Sequence, residues 1–291
     1  MLTENTSVVI DYKALIASTR YQLSFQQGGF SLSPYSADEL KSCHAGECGK
    51  FAQATIETLN GITVEAGLSR HQAWPAIRVY YAAFYAAHLL IRLFGSACTF
   101  IDDVPLARLN EVASLTGGSA IKQGFYLVEE DHGSLRFKAI KDSHRDTWAT
   151  LHHTVIKLRE MVQSVSAPRQ DKIDATITLT ELISAIDSGN GDKSRLSRFR
   201  NKVQYRFEKS AWFPFGVKTP PGYDINHHTN LAARGMYGRV TANSEIFEFF
   251  DAALFISSFA ISLFKEVENA KPSLHPNLTR NYRQLCNLIA A

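Results

Sequence analysis

The sequence predicts a mostly α-helical bundle with one small β-hairpin and one irregular loop rich in aromatic residues, proline and glycine. The strongest evidence is a pair of apolar segments, 74–94 and 246–264, which leave no broad polar face for solvent and therefore indicate buried helices. Glu248 and Asp251 restrict the uncharged part of the second segment to 252–264, whereas a membrane span needs about twenty apolar residues. We therefore expect both segments to be core helices.

The size and composition of the chain are those of a packed globular protein. Its 291 residues are 45% hydrophobic and 11% aromatic, and we expect one helical domain over 1–291, with a weak boundary near 164–171. The net charge is only +3, so a surface for nucleic acid would have to arise from local clusters of cations. The chain opens without a signal-peptide pattern, and its four cysteines lack a framework spacing. These features predict free thiols in a cytoplasmic protein.

Apolar periodicity and turn residues predict the remaining elements. The helices expected before the first apolar segment are 8–25, ended by Gly28 and Gly29, and one that follows a Ser36 cap, has a break near Gly46 and Gly49 and ends at Asn60 and Gly61. The first long apolar helix should span about 69–94, with Pro75 in its first turn. Further helices are expected at about 105–115, 142–163, 173–187, 194–209, 243–268 and 277–288.

Only one segment has a convincing β pattern. Two β-prone arms flank Asp131-His132-Gly133, which predicts a hairpin inserted at about 125–140. The rest of 99–124 is expected to be irregular around its short helix, and 212–230 forms the aromatic, proline- and glycine-rich loop.

The first apolar helix carries a narrow polar stripe. Its members are spaced by three or four residues and therefore share one side of the helix: Arg78, Tyr81, Tyr85, His88 and Arg92. Buried polar groups without partners are costly, so this stripe predicts either internal partners or a polar site completed by another segment.

The segment 194–210 divides into an apolar seam and a basic ladder. The seam that should face the core is Leu196, Phe199, Val203 and Phe207. The ladder on another face is Arg195, Arg198, Lys202, Arg206 and Lys209, with Glu208 as the one acidic residue in the helix. Repeated cations at this spacing favour contact with a phosphate backbone, and we predict nucleic-acid binding here.

Two motifs in this order resemble the HEPN family, the small α-bundle modules of prokaryotic toxin–antitoxin, antiviral and RNA-processing systems. The segment YYAAFYAAHLL, 80–90, resembles their tyrosine- and alanine-rich helix, and RNKVQYRF, 200–207, resembles the Arg-polar-x3-His-x-Tyr motif. Arg200 matches the motif arginine and Asn201 the polar position. Tyr205 stands where many members have histidine, and Phe207 where they have tyrosine.

The resemblance implies an RNA-directed function that needs no metal and no cofactor. In nuclease members the motif Arg and His act on the RNA 2′-hydroxyl and the scissile phosphate and leave a cyclic phosphate. A phenol keeps its proton at neutral pH and is a poor general base, so Tyr205 predicts a degenerate catalytic motif of Arg200, Asn201 and Tyr205. The implied partners are RNA and an antitoxin, an ATPase or a nucleotidyltransferase, with no membrane.

Helix geometry bears on how such a site would be assembled. Residues five apart lie about 140° apart around a helix, so Arg200 and Tyr205 are not expected to share a face. A site that uses both would need a second helix, most simply from the other subunit of a homodimer.

Other candidate sites have weaker patterns. Arg145 and His152 lie seven residues apart, nearly on one helix face, and form an alternative catalytic pair. Cys43, His44 and Cys48 are too few to predict a zinc site. Two hypotheses therefore stay open: a catalytically degenerate module that binds RNA, and an active metal-independent endoribonuclease.

Overall fold

The computed structural model of the protein describes residues 11–66, 72–187, 191, 193–209, 211–212, 224–240 and 244–270. The predicted final helix at 277–288, Cys286 and most of the aromatic loop at 212–230 lie outside these residues. The described part is mostly helical with a small antiparallel sheet, as predicted in outline. Its helices are α1 Tyr12–Ser18, α2 Ala37–Ala66, α3 Ala73–Leu93, α4 Asp103–Leu115, α5 Ser143–Val162, α6 Arg169–Asp187, α7 Arg195–Arg206, α8 Ile225–Ala233 and α9 Glu245–Ala270.

The sheet is larger than the predicted single hairpin. Its strands are β1 Tyr21–Gln26, β2 Gly29–Pro34, β3 Ser96–Ile101, β4 Gly124–Asp131 and β5 Ser134–Ile140, in the order β1-β2-β5-β4-β3. The predicted hairpin is confirmed as β4–β5, whose turn residues His132 and Gly133 both have positive φ, as a tight two-residue hairpin requires. It forms part of the middle of the sheet, and β1–β2 and β3 extend it on either side.

The prediction of one helix over 8–25 was wrong. Asp11 caps the short helix α1 by accepting a hydrogen bond from the Ala14 amide, and Thr19 ends it in the left-handed region. The following residues alternate, with Tyr21 and Leu23 buried, because one face of β1 packs on a hydrophobic core beneath the sheet. Tertiary pairing with β2 therefore overrides the helical pattern.

Two further predictions about irregular structure were wrong. Helix α2 continues without a break through Gly46 and Gly49, both buried, and past the expected end at Gly61. Packing of α2 against α3 outweighs the cost of about 1 kcal/mol that each helical glycine carries. The segment 99–124 was predicted to be irregular around its short helix, but its first three residues belong to the edge strand β3. This strand pairs along its length with β4.

Helix α3 forms the centre of the helical core. It packs against α2, α5, α7 and α9, and Pro75 lies in its first turn as predicted. Helix α9 is the one described helix long and apolar enough to cross a membrane, but 78% of its most apolar window is buried in the fold. Both apolar segments are thus core helices, in agreement with the sequence analysis.

The segment 164–171 connects two helices of the same core. Helices α5 and α6 pack on each other, and their buried residues Trp148, Leu151 and Leu182 belong to one cluster with those of α3. On the other side, β5 leads through Asp142 directly into α5. The Asp142 side chain caps that helix by accepting from the Arg145 amide, and this places His144 in the first turn, next to α3.

Candidate functional site

The site is centred on Arg200 of α7. The seam residues Leu196, Phe199 and Val203 are buried as predicted and hold α7 against α3 and α9. This packing draws Arg200 inward, so that it is only 5% exposed. Phe207 was predicted to continue the seam, and this was wrong: α7 ends at Arg206, and Phe207 adopts a left-handed conformation with its side chain in solvent.

Three tyrosine rings surround the guanidinium group of Arg200. Its Cζ atom lies 4.9 Å from the ring centroid of Tyr80, 5.6 Å from that of Tyr81 and 5.8 Å from that of Tyr205. Tyr80 is buried and Tyr205 is exposed. Tyr81, a member of the polar stripe that was expected to be buried, is half-buried. The π faces stabilise the cation by about 0.5–2 kcal/mol each without neutralising its charge.

The polar contacts of Arg200 are all with neutral groups. Its Nη1 donates to Gln204 Oε1 at 3.1 Å and lies 3.5 Å from the Tyr205 hydroxyl, while Nη2 lies 3.5 Å from His144 Nε2. Its buried Nε has no hydrogen-bond partner in the part of the chain that the structure describes. Among the described residues no carboxylate lies within ion-pair distance of Arg200. The site therefore holds a buried positive charge without a counter-charge, an arrangement that is costly unless an anion binds there.

His144 is the second functional group of the site, and its sequence position alone did not mark it as a site residue. Its Nδ1 is 2.8 Å from the Tyr80 hydroxyl, and its ring lies 4.3 Å from that of Phe84. An arginine can only donate, so the contact with Arg200 requires an unprotonated Nε2 and places the ring proton on Nδ1, toward Tyr80. No spacing in the sequence connects the two residues, because they come from different helices.

The charge state of His144 follows from its surroundings. Burial lowers its pKa from the usual 6.5, the nearby Arg200 cation lowers it further, and Asp142 opposes the shift. The imidazole is therefore neutral at physiological pH. Tyr80 holds the ring in place and receives a hydrogen bond from Trp148 Nε1 at 3.4 Å, and burial raises the pKa of the Tyr80 phenol.

The prediction that a site with both Arg200 and Tyr205 would need a second helix was wrong. The two positions do lie about 140° apart around the helix axis. However, both side chains are long, and they bend toward each other until Nη1 and the hydroxyl are 3.5 Å apart. A second subunit is consequently not needed to bring them together, and the homodimer expectation loses its geometric reason. Asn201 is exposed and has no side-chain hydrogen bond within the described residues.

The alternative pair, Arg145 and His152, does not form a joint site. His152 is buried and faces α6, where its Nε2 lies 3.0 Å from Asp187 Oδ2. Arg145 is largely exposed and lies 3.7 Å from Asp146 of the same helix. The two positions are about 10 Å apart along α5, and Arg145 lies in the first turn of that helix whereas His152 lies where the end of α6 packs.

The basic ladder is partly neutralised by α9. Arg195 lies 3.5 Å from Glu248, and Lys209, which follows the end of α7, lies 2.5 Å from Glu245. Arg198 and Arg206 are exposed and Lys202 is half-exposed. Lys202 and Arg206 therefore leave positive charge on the surface of α7, on a side of the helix about 120–160° away from Arg200.

The other end of the polar stripe on α3 is satisfied internally. Arg92 is buried and its Nε donates to Glu47 Oε2 of α2 at 2.8 Å, while its Nη1 donates to the His88 carbonyl at 3.0 Å. His88 lies beside it, and burial together with Arg92 lowers the pKa of His88 well below 6.5. This half of the stripe thus has a structural role, in contrast to Arg200.

Comparisons with family models, with curated proteins and with solved structures gave no match to this chain.

Proposed function

We propose that this protein is a HEPN-like RNA-binding module and that Arg200 binds a phosphate of the RNA backbone. The observation that carries the proposal is the buried guanidinium of Arg200, which is surrounded by aromatic rings and neutral polar groups and has no carboxylate partner among the described residues. A planar guanidinium suits a phosphate because it can donate two parallel hydrogen bonds. Lys202 and Arg206, on another face of the same helix, supply further positive charge to the surface.

The biological setting rests on the HEPN resemblance. The two motifs at 80–90 and 200–207 lie on α3 and α7, which pack together around the arginine. On that basis we place the protein in the cytoplasm of a prokaryote, in a toxin–antitoxin or anti-phage system, acting with an antitoxin, an ATPase or a nucleotidyltransferase.

A second candidate function is metal-independent cleavage of RNA, and His144 is the observation that favours it. The motif histidine is absent at Tyr205, yet a neutral imidazole with an accepting Nε2 lies 3.5 Å from Arg200. In this scheme His144 takes the proton of a 2′-hydroxyl, and the 2′-oxygen bonds to the adjacent phosphorus. The 5′-oxygen leaves with a proton from Tyr205, which gives a 2′,3′-cyclic phosphate and a 5′-hydroxyl. Arg200 stabilises the charge on the phosphate.

The proposed function is tested by RNA binding to the wild type and to Arg200→Gln. We expect the variant to bind RNA roughly tenfold or more weakly, because each hydrogen bond from a charged donor contributes about 1.5–3 kcal/mol. The slope of log affinity against log salt should fall by about one, since one fewer phosphate is neutralised.

A suitable control is Arg108→Gln on α4, where an exposed arginine pairs with Glu111 away from the site. It should retain wild-type affinity and slope. If Arg200→Gln stays folded and binds RNA like the wild type, Arg200 is not the phosphate site.

A further inference from the structure

Three aromatic residues near the start of α3 and just after α7 form a group, which we call the aromatic patch: Trp74 and Phe207, which are exposed, and Trp212, which is half-buried. The ring centroids of Trp74 and Trp212 are 6.0 Å apart, and those of Phe207 and Trp212 are 5.3 Å apart. Trp74 is 50% exposed and Phe207 is 68% exposed. Large apolar side chains grouped in solvent are typical of binding surfaces.

The patch is held in place by the end of α7. Trp212 Nε1 donates to the Val203 carbonyl at 2.8 Å and so satisfies one of the carbonyls that a helix end leaves without an intrahelical partner. Phe207 caps the helix with φ at 54°, a conformation that is unfavourable for a residue with a bulky side chain. Neither burial nor backbone preference explains a phenylalanine at this position, whereas a ligand that contacts its ring would.

The patch and the Arg200 site share one face of α3. Trp74 and Tyr81 are seven residues apart on α3, so they lie on one face about 10 Å apart along the helix axis. On the other side of the site, Tyr205 is 65% exposed and contacts Arg200. The charged residues that flank Phe207 in the chain are Lys202, Arg206 and Lys209, the last paired with Glu245, against one carboxylate of the same segment, Glu208. The surface therefore combines exposed rings with net positive charge.

We propose that the aromatic patch stacks unpaired bases of single-stranded RNA, an inference that rests on the proposed phosphate site at Arg200. Aromatic rings bind bases of any sequence through their π faces, and surrounding cations follow the backbone. The bases of a duplex are already stacked on each other and do not offer these faces, so recognition by aromatic residues selects single strands. The geometry thus points to single-stranded RNA as the ligand class.

The test compares an unstructured RNA oligonucleotide with an oligonucleotide of the same length whose bases are replaced by abasic sites. Wild type should bind the base-bearing RNA more tightly. Phe207→Ala and Trp74→Ala should each lower affinity for the base-bearing RNA roughly tenfold and leave affinity for the abasic strand unchanged. Tyr35→Ala is the matched control, because Tyr35 is an exposed aromatic residue at the end of β2 and should have no effect on either ligand.

Tryptophan fluorescence gives an independent reading of the same event. The chain has three tryptophans, and Trp148 is fully buried. Quenching on addition of base-bearing RNA should therefore come from Trp74 and Trp212 and should decrease in Trp74→Phe.

The possible outcomes separate the two proposals. If wild type binds both oligonucleotides equally, stacking is overturned. If the patch variants bind like wild type while Arg200→Gln loses affinity, stacking is again overturned and the phosphate site stands. If wild type binds no RNA, both are overturned. If Phe207→Ala weakens both ligands equally, the patch does not contact bases.

Discussion

Replacing Glu47 by alanine is expected to lower the free energy of unfolding by about 3–5 kcal/mol. Glu47 is the carboxylate partner of Arg92, and both side chains are almost entirely buried between α2 and α3. Without Glu47 the guanidinium keeps its carbonyl acceptors and its position 4.1 Å above the ring of Phe51 but loses its counter-charge. Removal of one partner from a buried ion pair is costly because the other charge remains away from water.

The matched control for this prediction is Glu111→Ala, which breaks the 2.7 Å pair with Arg108 at the surface of α4. Exposed pairs contribute about 0.2–1 kcal/mol, so this variant should change stability little. Both free energies are measured by urea unfolding. Equal, small losses in the two variants would show that backbone carbonyls alone satisfy Arg92.

If the second candidate function holds, His144→Gln is expected to reduce RNA cleavage by about 10²–10⁴-fold, the usual contribution of a general base. Burial and Arg200 lower the pKa of His144, so its neutral, proton-accepting form persists below pH 6.5. The value of kcat/KM for wild type should therefore stay constant as the pH falls through 6.5 and decline only at more acidic pH. A histidine exposed to solvent would lose activity already around pH 6.5.

The control for the cleavage assay is His153→Gln, which replaces an exposed histidine on the same helix. It should leave both rate and pH profile unchanged. If wild type binds RNA but no cleavage is detected, with or without a chelator, the protein is a binding module. Cleavage that persists in His144→Gln would place the general base elsewhere.

The helical core was predictable because its signals are local. The segments 74–94 and 246–264 are so apolar that burial is their stable arrangement. The spacing of Leu196, Phe199 and Val203 identifies the face of α7 that packs inward. The hairpin β4–β5 was also predictable, since its turn residues favour the positive φ that a tight turn requires.

The rest of the sheet was not predictable in the same way. Strands β1, β2 and β3 are six residues each, too short for alternation to exceed a helical pattern. The hairpin β1–β2 joins the sheet through β5, and β3 joins it through β4, so both depend on pairing between separated parts of the chain. Phe207 was assigned to the core because the helix was assumed to continue. Its exposure depends on where α7 ends, and helix ends are poorly determined by periodicity.

The site was half predictable. Arg200 was identified from the motif and the tyrosine helix from its composition, and the structure packs the two helices together. His144 and Tyr80 were missed as site residues because their contact with each other and with Arg200 depends on how α5 is placed by the hairpin that precedes it. The expectation that Arg200 and Tyr205 need a second helix failed for another reason. The angle between two positions on a helix does not limit how far long side chains reach toward each other.

The central claim is that Arg200 is a site for a phosphate anion, and the most direct measurement is the NMR signal of its Nε–H group. This nitrogen is buried and has no hydrogen-bond partner among the described residues, so its signal should respond strongly when an anion binds to the guanidinium. The signal is assigned by its absence in Arg200→Lys and is followed during titration with a short single-stranded RNA. We expect a large, saturable change in the chemical shift of this group at the RNA concentrations that produce binding. An unchanged Arg200 signal in a protein that binds the same RNA would contradict it.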